Sequence, residues 1–149
     1  MDVVTDLEKT PWPWKDNSVD AVYASHTLEH LADPLAAMLE IHRILKPGGT
    51  VRIFVPHASG VMACSIFHKH PFAMQWFQDL SECPHLQNGM GLMFPNSKFR
   101  LGVGYHRHKM PWHIRLWERY WNKTFLRQRR WETLGIIHPA EIEWTATKT

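Results

Sequence analysis

Residues 18–55 read as strand, helix and strand in succession, with a stop signal at every joint, and this order narrows the fold more than any other feature. Val19, Ala21, Val22, Tyr23 and Ala24 make a short apolar run suited to a buried strand. Asp33-Pro34 supplies an N-cap side chain followed by proline at the first helical position, where a missing N–H loses no partner. Leu35, Met38, Leu39, His42 and Leu45 then recur at helical spacing, and Gly48-Gly49 closes the turn. Thr50 to Val55 forms a second apolar strand, stopped by Pro56. A strand, a crossover helix and a strand of these lengths pack as a right-handed unit of a parallel sheet.

Beyond that unit the signals are sparser. Residues 57–97 show helical patterning only around Pro71 to Leu80 and otherwise turn chemistry, including Pro84, Asn88-Gly89 and Pro95-Asn96. Lys98 to Val103 reads as a strand, about Pro111 to Arg130 as a helix, and Glu141 to Thr147 as a final strand. A length of 149 residues with 44% apolar content predicts one domain over 1–149 around one core. No run of about 18 apolar residues exists to cross a membrane as a helix, and the N-terminus lacks a secretory pattern. Cys64 and Cys83 imply no disulfide framework, so the expected compartment is a reducing cytoplasm.

The strand–helix–strand unit resembles the second half of class I S-adenosylmethionine (SAM)-dependent methyltransferases. The family's fourth strand typically reads D-x-V-x-x-x-x-x-L-x-H, matched by Asp20, Val22, Leu28 and His30, and its fifth follows R-x-L-K-P-G-G, matched in full by Arg43 to Gly49. Upstream, Asp6-Leu7-Glu8-Lys9-Thr10-Pro11-Trp12-Pro13-Trp14 is similar to the D-L-x-x-x-P-W-P-F segment of a group of small members. Val55 to Ser59, His68-Lys69, Leu116 to Arg119 and His138 to Ile142 also fit that group, so the resemblance covers nearly the whole chain. It implies an α/β fold, a truncated Rossmann-like methyltransferase sheet made of the family's strands three to seven. The glycine-rich turn L-N-L-G-C-G and the acidic residue that holds the ribose, both from the family's first two strands, have no counterpart. Gly89-Met-Gly91 and Gly102-Val-Gly104 lack the strand–turn–helix context and read as turns.

Ligands of open α/β sheets bind beyond the carboxyl ends of the strands. By resemblance, Asp6 and Leu7 flank the adenine, with Ser25 and His26 following the fourth strand beside the transferred methyl group. His57 follows the fifth strand and is expected at the same crevice. A neutral imidazole at His26 or His57 is suited to take a proton from an acceptor as it is methylated. The alternative is that Ser25 and His26 cap a strand end and that Glu29 and His30 pack structurally. With its glycine cradle absent, the chain alone is expected to bind SAM weakly or not at all.

Two further patterns stand apart. Eleven histidines include His68-Lys-His70, Cys83-Pro-His85 and His106-Arg-His108, yet their spacings match no zinc finger or knuckle, and no metal site is assigned. Lys98 to Arg130 holds ten of the seventeen Lys and Arg residues. Arg115, Arg119, Lys123 and Arg127 form a stripe at i, i+4 spacing, opposite an apolar face of Ile114, Trp117, Trp121 and Phe125. Such a stripe suits nucleic acid or anionic lipid headgroups if it is more than the solvated side of a packed helix. The family's fourth strand pairs with its first, so Asp20 to Ala24 is expected at an open edge. Self-association there, or a partner chain completing the sheet, follows.

Overall fold

The computed structural model describes residues 2–82, 94, 96–102, 112–123 and 139–149. The expected unit is present: β1 (Val19–Ser25), α1 (Pro34–Ile44) and β2 (Leu45–Pro56), with β1 and β2 parallel. Asp33 caps α1, its Oδ1 accepting from the Ala36 N–H at 2.9 Å. Pro34, Ala37, Met38, Ile41 and Ile44 face the core, as their three- and four-residue spacing dictates.

Where a turn was expected at Gly48-Gly49, residues 46–49 instead form an irregularity inside β2. The register with β1 jumps from Val19↔Leu45 to Ala21↔Thr50. Both glycines are needed there. Gly48 has φ +78°, a conformation that disfavours a side chain. At Gly49 a Cβ would stand 2.8 Å from the Lys46 carbonyl oxygen and 3.1 Å from that of Asp20. The segment stays in the sheet because the Gly48 N–H donates to Lys148 O and the Lys148 N–H donates to Gly49 O, both at 2.9 Å.

The other elements are α2 (Met74–Glu82), β3 (Lys98–Gly102), α3 (Trp112–Trp121) and β4 (Glu141–Thr147). The sheet order is β1-β2-β4-β3, with β4 antiparallel to both its neighbours. The last strand in sequence therefore lies inside the sheet. Val51, Ile53 and Val55 of β2 and Ile142, Trp144 and Ala146 of β4 alternate into one buried layer with Met38 and Ile41 of α1 and Phe77 of α2. Trp144 is fully buried, stacked on Phe77 at 5.3 Å and edge-on to Phe94 at 5.2 Å. Fully burying side chains of this kind contributes roughly 1.5–3 kcal/mol each.

Two expectations are corrected. The sheet has four strands among the described residues, not five: residues 2–6 form no strand, and Val4 is 98% exposed. Among the described residues no strand pairs with that segment, and an isolated strand leaves its backbone groups to water. The helix expected to reach Arg130 ends at Trp121, with a turn at 122–123. Asn122 stops it by turning its amide onto β3, accepting from the Leu101 N–H at 2.7 Å and donating to Leu101 O at 2.8 Å. Ile114, Trp117 and Trp121 are half-buried as their spacing predicts, while Arg115, Arg119 and Lys123 are exposed. Phe125, Arg127, Arg130 and the Cys83/His85 and His106/His108 pairs lie outside the described residues.

Candidate functional site

The carboxyl ends of β1 and β2 converge on one end of the sheet, and the start of the antiparallel strand β4 joins them there. His26, the first residue past β1, has φ +51° and is fixed by its N–H donating to Phe54 O at 2.9 Å. A side chain in the left-handed region at a strand end is unusual enough to suggest that its direction matters. The ring sits between two carboxylates: Nε2 is 3.1 Å from Glu141 Oε1 and Nδ1 is 3.3 Å from Glu29 Oε1. Glu29 is wholly buried and His26 about one-third exposed. Burial holds the Glu141 carboxyl above the ordinary carboxylate range, with the His26 ring pulling the other way. A neutral imidazole carries a single N–H and can serve only one of the two carboxylates as donor, whereas a ring that has taken up a proton serves both.

The other expected residues are placed differently. Ser25 is exposed, its carbonyl accepting from Thr27 Oγ1 at 3.2 Å. His57 is 2% exposed, and its Nδ1 accepts from the Ser59 N–H at 3.1 Å and lies 2.7 Å from Ser59 Oγ. Asp6 folds onto its own turn, accepting from the Glu8 N–H at 3.1 Å and pairing with Lys9 at 3.4 Å. Its carboxyl is held below the ordinary range chiefly by that backbone N–H.

Leu7 lines an apolar groove of about 340 Å³ together with Trp12, Trp14, Thr27 and residues of β1 and α1. Among the described residues lining it, none carries a carboxylate. The groove's Trp12–Trp14 wall is held by Arg43 of the R-x-L-K-P-G-G motif, which donates to Trp12 O, Trp14 O, Asp16 and Glu40.

Beside this end of the sheet, the loop at residues 65–70 docks on a short 3-10 turn, Leu28–His30. The Lys69 N–H donates to Glu29 O at 2.7 Å, and Lys69 Nζ pairs with Glu8 at 3.0 Å. His70 Nε2 lies 3.0 Å from Ala32 O. Sequence reasoning missed the pairing of His26 with Glu141, which lies 115 positions away, and treated Glu29 as packing alone. The only signals were the placement of His26 after β1 and of Glu141 at the start of β4.

Residues 2–53 match the family model described as a methyltransferase domain. An uncharacterized methyltransferase of Schizosaccharomyces pombe is 49% identical over 45 residues, 30% of this chain and 16% of that protein. Among solved structures, a SAM-dependent methyltransferase from Archaeoglobus fulgidus superposes with TM-score 0.60 at 17% identity, covering 98% of this chain and 66% of its own. A methyltransferase of Haloferax volcanii, solved in complex with its Trm112 activator, gives TM-score 0.54 at 18% identity, over 98% of this chain and 60% of that one. The chain thus spans a sixth of the curated relative and about two-thirds or less of the solved chains. At such identities the structural likeness is one of fold, but it runs the length of the chain and begins from a segment that matches in sequence. Residues 2–53 thus carry the sequence of a methyltransferase domain, and the described chain has the fold of SAM-dependent methyltransferases.

Proposed function

We propose that the chain serves SAM-dependent methyl transfer, with His26 receiving the proton that the methyl acceptor loses. The observation that carries this reading is the His26 ring set between Glu29 and Glu141 beyond β1. When bound, SAM supplies an electrophilic methyl group. The acceptor's heteroatom forms a bond to that carbon as the carbon–sulfur bond breaks, leaving S-adenosylhomocysteine. The chain's share is to position the acceptor and to take its proton, which here means opening the His26 contact with the partly exposed Glu141. Leu7, next in sequence to Asp6, and the groove receive the adenine, while Ser25 lies immediately before His26 at the end of β1. The ribose end needs groups from elsewhere, so the chain by itself should hold SAM weakly.

The same incompleteness supports an assembly along β1. Its outer edge meets no strand among the described residues, and Tyr23 on it is 67% exposed. A second copy pairing there is the simplest completion, and a separate partner chain is the other.

The test uses tritiated SAM and a panel of small amines, thiols and phenols as acceptors, at protein concentrations that span assembly. Methyl transfer by the wild type that His26→Ala reduces at least about tenfold, the low end for a general base, supports the reading, provided SAM crosslinking is retained. An unchanged rate in His26→Ala removes His26 from the mechanism. Failure to crosslink SAM at millimolar concentration in every assembled form removes the activity itself.

A further inference from the structure

The Leu28–His30 turn and the loop docked on it bring together three groups that local packing does not explain. Glu29 is 0% exposed, yet neither carboxylate oxygen has a hydrogen-bond donor among the described residues. Oε1 has only the His26 Nδ1 contact at 3.3 Å. His68 Nδ1 is likewise buried without a partner. His30 packs edge-on to His68, with ring centroids 4.9 Å apart, and its own Nδ1 lies 3.1 Å from Phe67 O. A backbone carbonyl can only accept, so Nδ1 carries the proton and Nε2 the lone pair.

We infer that Glu29, His30 and His68 bind one divalent transition-metal ion of the zinc class. Burying a carboxylate and an imidazole nitrogen side by side without donors is unfavourable unless a cation satisfies both. One ligand atom from each of the three residues lies within 4.8 Å of the others. Bonds of about 2.0–2.2 Å put tetrahedral ligands roughly 3.3–3.6 Å apart, a closure within reach of side-chain rotation. The Nδ1–H bond from His30 to the Phe67 carbonyl is the outer contact that metal-bound histidines regularly make to fix ring and tautomer. Two imidazoles and a carboxylate suit zinc and its imidazole-binding neighbours iron, nickel and copper over calcium, magnesium or manganese. Three protein ligands leave a fourth position for water or a substrate oxygen. His30 is exposed, which gives the ion a way in.

The experiment is equilibrium dialysis of the full chain against ZnCl2, repeated with CoCl2 for the visible spectrum of the bound ion. Expected is one tight equivalent whose affinity drops at least about tenfold in Glu29→Gln, His30→Ala and His68→Ala but not in His113→Ala, on α3. If these variants bind zinc as the wild type does, or the wild type binds none, the site does not exist. Should a variant fail to fold, histidine footprinting of the wild type with diethyl pyrocarbonate decides instead. Zinc must protect His30 and His68 while leaving His113 reactive, and equal reactivity with and without zinc overturns the assignment.

Discussion

Arg43 holds the wall of the groove to α1, and replacing it with methionine should unfold that connection before it affects anything else. Its guanidinium donates to Glu40 at 2.7 and 2.9 Å, to Trp14 O at 2.9 Å and to Trp12 O at 3.1 Å. Glu40 in turn accepts from the Trp12 N–H at 2.7 Å. The Asp16 contact at 2.6 Å joins a largely exposed carboxylate and should contribute under about 1 kcal/mol. The Glu40 side chain is only 12% exposed, so removing its partner strands a nearly buried charge. Breaking a buried pair costs about 3–5 kcal/mol, and the partial exposure of Arg43 lowers the expected loss for Arg43→Met to about 2–4 kcal/mol. Urea unfolding at pH 7 reads this as a lower midpoint at an unchanged slope. Arg43→Lys, keeping the charge without the fork, should fall between. The hydrogen bonds from Arg43, opposed by burial, hold the Glu40 carboxyl below its ordinary range. A depressed folded-state value gives stability that is complete above the unfolded value of about 4.3 and fades as pH falls through the folded one. The wild type should therefore lose this stability in acid, and Arg43→Met should lose much less there. An Arg43→Met protein within about 1 kcal/mol of the wild type at pH 7 would refute the reasoning.

Three further outcomes follow from the same geometry. Gly49→Ala should cost about 1–3 kcal/mol in thermal unfolding, because two of the three crowding atoms, the Lys46 and Asp20 carbonyl oxygens, are backbone atoms that cannot rotate away. Lys148→Met should cost about 1–2 kcal/mol, since Lys148 Nζ donates to His42 O at 2.7 Å and Leu45 O at 2.8 Å at the carboxyl end of α1; Lys148→Arg should recover part of it. Val22→Lys should lower the mass found by light scattering with an unchanged circular dichroism spectrum, and a wild type that stays monomeric when concentrated would dispose of the β1 assembly.

Legibility in the sequence tracked the range of the cause. β1, α1 and β4 were readable because their signals are local: an apolar run, the Asp33-Pro34 cap, and strict alternation from Glu141 to Thr147. Gly48-Gly49 announced a change of direction, but whether it made a free turn or an irregularity in β2 depended on Lys148, a hundred residues on. Val3 and Val4 have the composition of a strand without a neighbour to pair with, which no local pattern reveals. The end of α3 hung on Asn122 choosing the backbone of β3 over solvent. At the site, His26 was visible from its place after β1, whereas Glu29 and Glu141 became its partners only through folding. His30 and His68 stand 38 positions apart and share no metal-binding spacing.

The position of β4 between β2 and β3 sets the order in which the molecule can be made. During synthesis β1, α1 and β2 can pair as soon as they emerge, their contacts being close in sequence. β3 pairs with nothing but β4 among the described strands, so it must wait, undocked, for the residues up to 147. Until then the buried faces of Ile53 and Val55 lack Trp144 and Ile142 opposite them. A ribosome stalled shortly before Glu141 would hold a chain with its parallel half formed and an adhesive, half-covered strand beside it, the state most in need of a chaperone.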